Sequence, residues 1–203
     1  MDNKTIDLPV SNIKETGILD FQSENVKFLL KFICLIGFGA IVALGKKLSL
    51  PLEIPGHSAL LWLGLMIAGR GLVRHEGAGI VIGVSTALWG IPFGLNNSFT
   101  YNLGLYGITG VTLDLVLLFP RVKIDSPVGS IICGMLAHMV KFSFIVTSAL
   151  TSNVARQFLL FGFLKSAFLH LFFGAVAGFL GLTAYMLIRK LFDKVLSKIK
   201  AFI

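Results

Sequence analysis

Two lysines, two histidines and one carboxylate stand inside stretches that are otherwise apolar, and they are the groups of this chain best placed to do chemistry. His138 and Lys141 are three residues apart in GMLAHMVKFSF, so on a helix they share a face. Lys165 and His170 interrupt the apolar run Gln157 to Lys190, and Asp114 interrupts LGLYGITGVTLDLVLLF. Ionisable groups at membrane depth are expensive and mark function by default. At ~1.5 Å per residue, Lys141 falls ~18 Å above the inner end of its helix and Lys165 ~12 Å below the outer end of the next. The two amines therefore sit at one level, and with His138 they would line a pocket for a ligand carrying an anionic or strongly accepting group. An equally open reading has Asp114 pairing with one lysine and serving only to fix helix packing. His170 is five residues past Lys165 and four before Gly174, a position that suits a hydrogen bond between helices better than a ligand contact.

Loops add further candidates. His57 and Glu53, in KKLSLPLEIPGHS, could close over a bound solute, and Asn97 and Tyr101, in the uncharged run IPFGLNNSFTYN, could supply hydrogen bonds and an aromatic face. The candidate substrate-binding set is thus Lys141, Lys165, His138, Asp114, His57, Asn97 and Tyr101. Trp62 and Trp89 read as core or interface residues, and Arg70 and Arg74 as topology-setting charges at the inner end of a helix. The sequence contains no HExxH, GxSxG, P-loop or paired carboxylates, and its four histidines are dispersed. The expectation is a non-enzyme that holds no metal or cofactor.

The elements that must position these groups are membrane helices. Of 203 residues 55% are hydrophobic and only 14% charged, too few polar residues to clothe a water-facing surface. The net charge of +8 lies mostly at the ends of apolar runs, which points to lipid headgroups and topology and away from nucleic acid. The pattern predicts an all-α polytopic protein of the cell membrane. A polar N-terminal tail covers residues 1–25, without the apolar core of a signal peptide. Six transmembrane helices fill 26–190, and a basic amphipathic tail at 191–203 lies on the membrane surface. The predicted helices run Val26 to Gly45, Ala59 to Val73 with Ser58 as N-cap, Ala78 to about Leu95, Leu103 to Phe119, Gly129 to Leu150, and Gln157 to Lys190. Lys27, Arg74, Arg121, Lys123, Arg189 and Lys190 fall on the side of the termini, against Lys46, Lys47 and Arg156 on the other, so both termini are expected to be cytoplasmic. Cys34 and Cys133 are expected as buried thiols. Gly39 and Ala43, four apart on the first helix, form a small-residue face that a partner helix could approach closely.

Several stretches resemble one known family. The small-residue first helix with Gly39 and Ala43, the run LLWLGLMIAGRGLVRHEGAGIVIGVSTALWGIP, the glycine-rich GITGVTLDLVLLF and the last helix FLHLFFGAVAGFLGLTAYMLIRK are together similar to the substrate-binding S components of energy-coupling factor (ECF) transporters, a type of ABC transporter. The resemblance covers nearly the whole chain from Val26. It implies six helices, a ligand held near the outer side by the last three, and capping loops after helices 1, 3 and 5. It also implies that Gly39 and Ala43 meet a transmembrane coupling subunit joined to two ATPase subunits, which bind the ATP, and that the function is vitamin uptake. The Arg74, Gly77, Ala78 turn and Asp114 resemble members taking up a thiamine precursor, while the helix 2 to helix 3 stretch resembles biotin-type members, so the vitamin stays open. The rival expectation is a stand-alone small secondary transporter or a membrane assembly factor.

Overall fold

The computed structural model describes residues 16–49, 54–95, 98–151 and 156–202, with the side chains near both ends left aside. Among the described residues the chain is helical, without strands. Helix α1 spans Thr16–Lys47, α2 Ala59–Leu72 and α3 Ala78–Gly90. The short α4 (Phe99–Asn102) runs through a π-helical turn, Leu103–Gly107, into α5 (Ile108–Leu117), with helical dihedrals at both junctions. Helix α6 spans Pro127–Thr151 and α7 Arg156–Phe202.

Three stretches, Glu24–Lys47, Pro127–Thr151 and Gly162–Lys194, are long and apolar enough to cross a membrane. Their surfaces fit lipid. On α7, Leu164, Phe168, Phe172 and Phe179 form an exposed apolar stripe, while His170, Gly174, Ala177, Gly178, Gly181 and Tyr185 turn inward. Helices α2 and α3, with 14 and 13 residues, are shorter apolar helices of ~21 and ~20 Å.

Several boundaries differ from expectation. Helix α1 begins ten residues before Val26, at Thr16. Helix α3 stops at Gly90 rather than near Leu95, because Pro92 has no N–H with which to continue the helical ladder and Gly94 turns left-handed (φ +70°), letting Leu95 N–H donate to the Gly90 carbonyl. Beyond Lys190, α7 continues unbroken to Phe202 instead of restarting as a separate surface helix. Ser58 does not cap α2 with its side chain, since its backbone is already helical (φ −62°, ψ −15°). Cys133 is buried, but Cys34 lies on the exposed face of α1; both are free thiols.

Lipid tails are as apolar as leucine, so helices hold together by close fit rather than by escape from water. Helix α7 packs most extensively on α6 and α2, and α3 on α1 and α5. At the α6–α7 crossing a Cβ on Gly134 would strike the Gly174 carbonyl, and one on Gly178 would strike the Ser130 carbonyl. At α3–α5, Gly79 and Gly110 face each other the same way. Gly39 is pressed against Ser85 of α3, and Ala43 is fully buried, so the small-residue face of α1 is covered within the chain.

Gly134→Val is expected to destabilise the protein by about 1–3 kcal/mol or more, because backbone, not a yielding side chain, stands in the way. Gly37→Ala, with open space at that position, should be neutral or mildly stabilising. Thermal unfolding in detergent compares the two; equal melting points would remove the close-packing account.

Candidate functional site

The small residues that join α6 and α7 give way, towards the C-terminal end of α6 and the start of α7, to large ones. Phe142 meets Phe163 and the His170 ring at centroid distances of 5.5 and 4.5 Å, wedging the two helices apart. The gap becomes a cavity of about 870 Å³. Its walls are His138, Lys141, Phe142, Ile145, Val146 and Ala149 from α6 and Gly162, Phe163, Lys165, Ser166 and His170 from α7. Leu95, Tyr101, Leu105 and Tyr106 add a third side, and Lys46, Pro55, Gly56 and Ser58 the remainder. That volume is in the range of small-molecule pockets.

Lys141 is the electrostatic centre. It is only 6% exposed, and its Nζ lies 4.0 Å from the Trp62 ring centroid and 5.3 Å from that of Tyr106, two rings in edge-to-face contact at 5.4 Å. Among the described residues no carboxylate pairs with it, and no Asp or Glu lines the cavity. Cation–π attraction to two rings offsets part of the desolvation of the amine and leaves its ligand-facing capacity for hydrogen bonding unused.

Beside it the two imidazoles stack at 4.7 Å. His138 Nδ1 is 2.9 Å from the His170 carbonyl, and His170 Nδ1 is 2.8 Å from the Ser166 carbonyl. A carbonyl can only accept, so each Nδ1 carries the hydrogen and each neutral ring keeps Nε2 as an acceptor. His170 thus bonds within its own helix through its ring and between helices only through its backbone carbonyl, which differs from the interhelical side-chain bond expected. Gly56 (φ +85°) lies against this pair: a Cβ there would be 3.2 Å from His138 Cε1 and from His170 Cα, so chain geometry and space both require glycine.

The sequence-derived candidates therefore separate. Lys141, His138, Lys165 and Tyr101 share the cavity. Asp114 does not: its Oδ1 accepts from Arg70 Nε at 2.6 Å and from Gly79 N–H at 3.2 Å, while Oδ2 accepts from Ile80 N–H at 2.9 Å. It replaces the cap that Gly77, at the start of α3, has no side chain to provide, and it neutralises Arg70, so its partner is an arginine and neither lysine. His57 bonds the Ile54 carbonyl through Nδ1 at 2.5 Å and flanks the cavity between the lining residues Gly56 and Ser58. Asn97 and Glu53 lie outside the described residues. At the opposite end of the fold, Arg74 donates to Asp125 and Tyr185, each at 3.0 Å, and the tyrosine contact first, then the carboxylate, raises the arginine above its ordinary pKa.

Trp62 and Tyr106, the aromatic floor, were not legible as site residues. Trp62 reads as one more apolar helix residue, and Tyr106, five residues after Tyr101, does not share its face on a regular helix. Comparison with protein-family profiles, with curated proteins and with solved structures found no match.

Two substitutions separate the buried charges. Asp114→Asn leaves Arg70 buried without its counter-ion and is expected to lose about 3–5 kcal/mol. Lys141→Met removes an unpaired cation while keeping an apolar stem against Trp62, and its melting temperature should equal or exceed that of the parent. A fall of several degrees in Lys141→Met would make Lys141 a structural residue.

Proposed function

We propose that this chain is the membrane-embedded capture subunit of an uptake system of the ECF type, holding a small solute, vitamin or vitamin precursor, for delivery with a transmembrane coupling subunit and two ATPases. In this reading α1, α2, α3, the continuous rod from Phe99 to Leu117, α6 and α7 are the six crossings, both termini are cytoplasmic, and the cavity opens towards the outside. The observation that carries it is the cavity of about 870 Å³ into which a buried lysine is built that has no counter-ion among the described residues. A protein that needed Lys141 only for packing would gain from pairing or replacing it. The exposed apolar stripes on α1 and α7 support residence in the bilayer, and the similarity of the helix patterns to S components supplies the class.

The chain carries out no reaction of its own in this proposal, and ATP is bound by its partners. Since Gly39 and Ala43 are covered by the chain itself, the coupling contact is assigned to the outward face of α1, where Ile33, Gly37, Ile41 and Leu44 are exposed.

Affinity purification of the tagged chain from its native membrane in mild detergent is expected to bring down a second integral membrane protein together with ATP-hydrolysing subunits, and Gly37→Trp should reduce their yield while leaving the chain folded. Recovery of the chain alone, together with ion-gradient-driven transport by that chain in proteoliposomes, would establish the stand-alone secondary transporter instead.

A further inference from the structure

The chemistry of the cavity narrows its ligand. We infer that the site takes an organic anion, a carboxylate or phosphate attached to a largely apolar body, with the anionic group seated on Lys141 at the floor; this rests on the capture reading above.

The first ground is charge. Among the described residues the cavity wall contains three amines, from Lys46, Lys141 and Lys165, and two imidazoles, and no acid. A cationic ligand would be repelled by these amines, and a neutral one would leave the Lys141 amine without a counter-charge in a place almost closed to water. A ligand anion supplies what the protein withholds, and a charge-assisted hydrogen bond to the ammonium is the stronger kind.

The second ground is polarity along the long axis. From His138 to Ala149 the wall of α6 rises ~16 Å. Lys141, His138 and His170 lie together at one end with Trp62 and Tyr106, whereas Ile145, Val146 and Ala149 follow at the other. A molecule with its charge at one end and its apolar part at the other satisfies both halves.

The third ground is the hydrogen-bond direction fixed by the backbone. With both Nδ1–H groups committed to carbonyls, neutral His138 and His170 offer acceptors only, and neither Nε2 has a protein partner among the described residues. The floor therefore presents one strong donor beside two acceptors. It matches an anion that also carries a hydroxyl or amide N–H next to its charge, such as a hydroxy acid, an acylamino acid or a monoprotonated phosphate. The Lys165 amine, nearer the opening, contributes long-range attraction and no fixed contact.

An anion of this kind can come from water or from the bilayer, and the test distinguishes them. The parent chain, Lys141→Met and Lys165→Met are each purified, monodispersity and melting temperature are recorded, and the small molecules released on denaturation are identified and quantified by mass spectrometry. The expected result is a near-stoichiometric soluble carboxylate or phosphate with the parent and with Lys165→Met, and its loss from folded Lys141→Met. Titration of the identified compound should then show affinity reduced by about tenfold or more in Lys141→Met, and its amide or ester should bind the parent as poorly. A phospholipid or fatty acid released in the same pattern keeps the anion site and overturns solute uptake. A neutral or cationic compound, or one retained equally by Lys141→Met, overturns the anion inference and leaves capture standing. Absence of any bound compound, with no stabilisation of the parent by a panel of carboxylates and phosphates, overturns both. Should Lys141→Met fail to fold, Lys141→Gln and the amide-for-acid comparison on the parent decide the same question.

Discussion

Backbone-to-backbone approach is the constraint from which the rest of this fold follows. In a bilayer, burying leucine against leucine gains little over burying it against lipid, so a stable bundle needs places where helices come closer than side chains normally allow. Gly134 against Gly174 and Gly178, Gly79 against Gly110, and Gly39 against Ser85 are such places, distributed over three helix pairs. Where the glycines end, the helices diverge. Phe142 and Phe163 replace Gly134 and Gly178 as the contact pair, and the space between the helices becomes the cavity. The same two helices are thus a tight seam at one end and an open cleft at the other, and the change in residue size along them accounts for both.

The two buried cations of the bundle illustrate opposite solutions to one electrostatic problem. Arg70 is answered by Asp114, whose remaining lone pairs take two backbone N–H groups of α3. That network ties α2, α3 and α5 together. Among the described residues Lys141 is answered only by the faces of two aromatic rings. Ring quadrupoles attract a cation without neutralising it. One charge is finished as structure, and the other is left reactive towards whatever enters.

Much of this organisation could be read in the residues themselves. The helical class follows from the apolar runs, the start of α2 at Ala59 from the Pro55 and Gly56 that precede it, and the meeting of Lys141, His138 and Lys165 at one cavity from their places on two successive helices. What escaped were relations between distant residues. Nothing local to Asp114 says that its partner is Arg70, 44 residues earlier. The Gly39 and Ala43 pair announces a close approach but not whether the neighbour belongs to the same chain. Trp62 and Tyr106 become a floor only when three helices meet, since cation–π contact has no periodic signature. The end of α3 was overextended because the apolar character continues past Gly90 while Pro92 and Gly94 end the helix.

The π-helical turn at Leu103–Gly107 carries a last implication. A π turn accommodates one more residue than an α turn, and here Thr109 hydroxyl donates to the Leu105 carbonyl at 2.6 Å, tying off the widened ring. Tyr106 sits inside the turn and Tyr101 before it. Removing one residue of the turn ahead of Tyr106 would restore a regular helix and rotate everything upstream by ~100° about the axis. Tyr101 would swing from the chamber wall to another side of the rod while Tyr106, downstream, kept its place. A single insertion thus works as an angular offset between two tyrosines, and related chains with or without it would present differently shaped chambers from nearly the same set of residues.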